Sequence, residues 1–143
     1  LGMSRLGTDL EKDNFGAQFL ALTGVKGFPI VTMKCDLSGK PSCQYIHSCI
    51  GDKRLENSSA IYFDQKSKNL LLIDKVDNDL KIFKYNNCYD IVYRERVKFP
   101  KNIPQITDLT IDKNGYLWTS YKKKDQYLSA IIVRWDKKLM LKM

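Results

Sequence analysis

The chain has 143 residues, 43% of them hydrophobic, with 24 Lys+Arg against 16 Asp+Glu and a formal net charge of +8. This balance excludes an intrinsically disordered polymer, and the longest apolar runs, such as Leu70-Leu71-Leu72-Ile73 and Ala130-Ile131-Ile132-Val133, fall far short of the roughly 20 residues of a membrane-crossing helix. The positive charge favours an acidic partner, yet the lysines are spread over turns and strand exteriors, so a solvated basic surface is expected before a dedicated polyanion site.

In chain order, the first residue is Leu1 and no charged-then-apolar leader follows, so the sequence reads as processed, excised from a longer chain, or part of one. Thr8-Asp9-Leu10, Asp13, Gly16 and Phe19 line up with Thr107-Asp108-Leu109, Asp112, Gly115 and Trp118 at an offset of about 99 residues. Gly24-Val25-Lys26-Gly27 is a connector between strands. Met33-Lys34-Cys35-Asp36 then aligns with Val133-Arg134-Trp135-Asp136 after one insertion.

Cys35 and Cys43 flank a hairpin over residues 36–42. Symmetric pairing about Gly39 puts their sulfurs on facing positions, within reach of a disulfide; the alternative is a pair of small buried hydrophobes in a reducing compartment. The other cysteines are Cys49 and Cys88, and no zinc spacing is present, with His47 the only histidine.

A middle copy sits half an offset along. Its strands are predicted over Ala60 to Phe63, Leu70 to Asp74, Leu80 to Tyr85 and Tyr89 to Val97, with polar turns at roughly ten-residue spacing. The last copy holds the clearest hairpin, in which Ile106 to Ile111 leads through Asp112-Lys113-Asn114-Gly115 into Tyr116-Leu117-Trp118-Thr119-Ser120-Tyr121. Period-2 alternation recurs and sustained i, i+3, i+4 spacing does not, which excludes a helical solenoid.

The expected fold is therefore all-β: about three four-stranded antiparallel blades of a β-propeller, over residues 1–52, 53–102 and 103–143, the last incomplete. A closed propeller takes roughly four to eight blades, so the chain reads as a propeller segment, with closure by a second chain or an open array on a partner as alternatives. The Asp112 to Trp118 run resembles the Asp-x-x-Gly-x-Leu-Trp signature of sensor-ectodomain, NHL-type and SMP-30/gluconolactonase propellers. The middle copy departs from it with Lys68-Asn69 in the glycine's place, and the first has Phe19 at the Trp118 position. The aspartate is expected to accept the turn's own amides, the glycine to supply a positive φ, and the aromatic to pack between sheets.

Function is less legible. No catalytic residue or cofactor is assigned. The resemblance implies that gluconolactonase-like members hold a divalent ion with Glu, Asn and Asp; here Glu56, Asn102 and Asp108 are the weak candidates, an oxygen set suited to Ca²⁺. Tyr121, Lys122, Lys123, Lys124 and Tyr127 form a basic, aromatic cluster that would suit a protein or polyanion partner, with affinity for the latter falling steeply with salt. The leading expectation is a non-catalytic binding and scaffolding module inside a larger protein or complex, in the cell envelope, periplasm or outside the cell if Cys35 and Cys43 are bridged. The alternative is an SMP-30-like metal-dependent hydrolase whose other blades lie elsewhere.

Overall fold

In a computed structural model the chain is described over residues 3–6, 17–40, 42–49, 53–101, 103–122 and 130–135. Among these residues eleven strands form three antiparallel sheets. The first holds β1 (Met3–Arg5), β2 (Ala17–Leu22), β3 (Ile30–Asp36) and β4 (Ser42–Ser48). After a single 3-10 turn at Lys53–Leu55, the second holds β5 (Ser58–Asp64), β6 (Asn69–Asp74), β7 (Asp79–Asn87) and β8 (Asp90–Val97). The third holds β9 (Ile106–Ile111), β10 (Leu117–Lys122) and β11 (Ala130–Arg134). Each is a meander with strands in sequence order. No helix among the described residues is long and apolar enough to cross a membrane.

The middle sheet is sandwiched between the other two. β5 lies against both β1 and β9, so the first strands of the three sheets are neighbours. Every residue of β6 is buried, because alternate side chains serve different neighbours. Leu70 and Leu72 join Ile61, Phe63 and Phe83 against Leu20, Leu22 and Ile30 of the first sheet. Leu71 and Ile73 join Ala60, Leu80 and Ile82 against Ile106, Leu109 and Leu117 of the third. A strand buried on both faces reads as a continuous apolar run, which is what Leu70-Leu71-Leu72-Ile73 is. Each of these side chains contributes about 2 kcal/mol by leaving water.

The middle unit's four strands lie where the alternation and turn spacing place them. The first unit differs. Its opening strand is Met3–Arg5, before the Thr8-Asp9-Leu10 segment aligned with β9, and residues 7–16 lie outside the described ones. Phe19 is also not the counterpart of Trp118. Leu20 and Leu22 face the middle sheet from one side, and Leu117 faces it from the other. Phe19 and Trp118, each next to one of these, therefore sit on opposite faces of their sheets. A one-residue slip in register exchanges the faces of a strand, and the short aligned motif did not fix it.

Between sheets, the Phe63 N–H donates to Ser4 Oγ at 2.9 Å, and the Tyr62 hydroxyl donates to the Ile111 carbonyl at 3.4 Å. Asn78 clamps the entry to β9: its Nδ2 donates to the carbonyls of Ile103 and Pro104, and its Oδ1 accepts the Ile106 N–H.

Candidate functional site

Five of the described hairpin turns share one device. An Asp or Asn at the end of the incoming strand or directly after it accepts, through its side-chain oxygen, the N–H two residues on, an arrangement that spares the backbone an unsatisfied donor. Asp36 does so for Ser38, Asp64 for Lys66, Asp74 for Val76, Asn87 for Tyr89 and Asp112 for Asn114, at 2.8 to 3.3 Å. Asp112 goes further. Its Oδ1 also accepts the Tyr116 N–H, and its Oδ2 accepts the Trp118 indole N–H at 2.8 Å. The indole bond, aided by the amides of Tyr116 and Asn114, holds the Asp112 carboxyl below its usual range.

Gly115 has φ +87°, as the turn requires. In the middle sheet the residue before the returning strand is Lys68 at φ +61°, so a lysine adopts the left-handed conformation in a turn one residue longer than that of Asp112. Trp118 itself turns back onto Asp112; Leu117 is the residue of this pair that packs between sheets.

A cleft of about 420 Å³ opens between the Asp64 and Asp112 turns. Tyr62, Phe63 and Ile111 line it with apolar surface, Ser4 adds a hydroxyl, and Lys66 and Lys113 stand exposed at its rim. The turns supply neutral hydrogen-bond donors to both carboxylates, which keep their charge beside the two ammoniums. Of these charged groups only the ammoniums are exposed, and the chain carries a net charge of +8, which together favour an acidic segment over a basic one there.

At the other end of the middle sheet lies a buried charge cluster. Asp74, Asp77 and Asp79 offer oxygens within 4.8 Å of one another, the one grouping of this kind among the described residues. The Lys81 ammonium bonds Asp74 Oδ2 and stands 3.6 Å from Asp77, and Arg96 Nε lies 3.0 Å from Asp79 Oδ2. The chain therefore supplies the positive charge that a bound cation would bring. Burial pushes the Asp74 carboxyl up, but Lys81 and the amides of Asp77 and Val76 outweigh it and hold the group below the usual range. Asp79 goes the other way: burial raises it, and Lys81 and Arg96 offset this only in part. Its Oδ1 is buried with no partner among the described residues.

The residues singled out from sequence do not converge. Glu56 accepts the Gly27 N–H at 3.2 Å, joining the loop after β2 to the turn before β5. Asp108 accepts the adjacent Leu109 N–H at 2.8 Å in β9. Neither belongs to the carboxylate grouping, and Asn102 lies outside the described residues. Tyr121 is a buried residue of β10, while Lys122 continues that strand; Lys123, Lys124 and Tyr127 lie outside the described residues.

Cys35 and Cys43 are bridged, on directly paired positions of β3 and β4 with Cα atoms 4.0 Å apart. A second disulfide, Cys49 to Cys88, ties the end of the first sheet to the β7–β8 turn of the second. His47, beside it, stacks on Tyr89 with ring centroids 5.5 Å apart. A Cys49-His47 nucleophile is ruled out by that bridge. Sequence reasoning missed this pairing, for which the spacing carries no signal, and the Asp74–Lys81 pair, for which Lys81 in the apolar run Leu80 to Phe83 was one. Comparison with protein-family models, with curated proteins and with solved structures finds no match for this chain.

Proposed function

We propose that the chain is three blades of a β-propeller acting as a non-catalytic binding and scaffolding module within a larger protein or complex. The observation that carries this reading is the stacking itself: sequential meander sheets, first strands side by side, each face of the middle sheet filled by a neighbour. Such an arrangement holds the turns between strands at fixed positions on rigid elements, which is what a binding surface needs. The cleft between the Asp64 and Asp112 turns, with Lys66 and Lys113 at its rim, is the surface assigned to an acidic protein segment. The two disulfides favour an oxidising location, in the cell envelope or outside the cell.

The test is lysine cross-linking of the native gene product in its own extract, read by mass spectrometry alongside metal analysis. Cross-links from Lys66 or Lys113 to one acidic partner, lost in the Lys66→Glu/Lys113→Glu double variant, are expected. Stoichiometric Ca²⁺ with turnover of lactones, the outcome of the SMP-30-like alternative, would overturn the proposal, as would a product that yields no intermolecular cross-link at either lysine.

A further inference from the structure

We infer that Asn57 is an N-glycosylation site. Asn57-Ser58-Ser59 is an Asn-x-Ser acceptor motif, and it occurs once with Ser or Thr in the sequence. The motif is short and arises by chance, so its surroundings decide whether the folded chain can carry a glycan there. Asn57 is exposed in the turn that leads into β5. Its backbone carbonyl accepts the Lys75 N–H at 2.8 Å, which fixes the main chain, while its carboxamide makes no hydrogen bond to another described residue. Ser58 turns inward, buried, with its hydroxyl donating to the Leu55 carbonyl. The acceptor amide is thereby left to solvent, and a sugar attached there displaces nothing from the core.

An independent observation fits a compartment where this chemistry takes place. All four cysteines are paired in two disulfides, and none is free. Disulfides of this structural kind form and persist in oxidising compartments, among them the eukaryotic secretory pathway, which also contains the transferase and its lipid-linked donor. In the reaction, Asn57 Nδ2 bonds to C1 of the first N-acetylglucosamine of a dolichol-diphosphate-linked oligosaccharide. The C1–O bond to the diphosphate breaks, dolichol diphosphate departs, and the amide gives up one proton to a base of the transferase.

The position also has a consequence for recognition. β5 runs seven residues from the turn bearing Asn57 to Asp64, about 20 Å at strand rise. A glycan at Asn57 shields the end of the stack where Glu56 meets Gly27, and leaves the Asp64 and Asp112 turns open.

The experiment is expression of the full gene product through a eukaryotic secretory pathway, with mass and peptide-N-glycosidase sensitivity as readouts. One glycan above the mass of the glycosidase-treated product is expected, removed by the glycosidase with conversion of the residue-57 amide to a carboxylate in the peptide. Asn57→Gln and Ser59→Ala should abolish it, whereas Ser59→Thr and Ser58→Ala should keep it. Because transfer precedes folding, a variant that is retained in the cell is scored on the same gel. An unmodified residue 57 in secreted, disulfide-bonded protein overturns the assignment, as does a glycosidase-sensitive mass that Asn57→Gln leaves unchanged.

Discussion

Asp112 performs two tasks with one carboxylate: Oδ1 closes the turn and Oδ2 fixes the indole of Trp118. Asp112→Ala removes both, so Trp118 emission should shift to the red and the melting temperature should fall. Asp112→Asn, which keeps one acceptor oxygen, should restore part of each. The Trp135→Phe background isolates the signal, since Trp135 bonds Thr119 separately. The Asp74–Lys81 pair is different because it is buried, with side chains 5% and 9% exposed. Lys81→Met alone leaves an unpaired buried carboxylate and should cost about 3–5 kcal/mol in urea unfolding, while joint replacement of Asp74 and Lys81 by apolar residues should cost much less. The pH response follows from the opposed shifts. Asp74, lowered in the fold, contributes stability that is present above its unfolded value of about 3.9 and is lost as pH falls through the lower folded value. Asp79, raised in the fold, is penalised when ionised, so its protonation on acidification relieves the fold first. Thermal melts from neutral pH downward should thus fall steeply only below about pH 4, and Asp74→Asn should lessen that drop, the lowered Asp112 and Asp36 carboxyls accounting for the rest.

In some of the hairpins a left-handed residue precedes the returning strand, Lys68 in one and Gly115 in another. Lys68 occupies φ +61° where β-carbon crowding costs roughly 1–2 kcal/mol, so Lys68→Gly should stabilise the protein by up to about 1 kcal/mol once the glycine's added unfolded-state entropy is subtracted. Gly115→Ala should do the reverse by about 1 kcal/mol, from backbone conformation alone, because a Cβ there meets nothing within 4 Å. Chemical denaturation of the two variants checks both signs. At this level the sequence was most legible. Asp112, Gly115 and the alternation around them specify strand, turn and strand through bonds spanning a few residues. Lys68 concealed its turn only in part, because Asp64 and the flanking apolar runs still marked it. What the hairpins do not encode is which face meets which neighbour, and there the equation of Phe19 with Trp118 went astray.

Across the whole molecule, the sheets are joined by their apolar faces and by one covalent bond. Cys49 and Cys88 are 39 residues apart and Cys35 and Cys43 only 8. On loop-closure entropy the first bridge contributes about 4 kcal/mol and the second about 2.5 kcal/mol. The Cys49→Ser/Cys88→Ser variant should therefore lose more stability than Cys35→Ser/Cys43→Ser. It should also raise hydrogen exchange throughout β1 to β4 while β6 stays protected. If exchange in the first sheet is unchanged, the bridge is not what holds that sheet to the second.

The sequence by itself determined the strands of the middle and last units, their turns, and a facing pair in Cys35 and Cys43. These depend on period-2 alternation, Asx side chains and hairpin symmetry, all acting within about ten residues. Only the tertiary structure decided that Cys49 meets Cys88, that Leu117 rather than Trp118 faces the middle sheet, and that Lys81 is buried on Asp74. Each of those depends on how sheets pack face to face, a contact between segments tens of residues apart that no local pattern encodes.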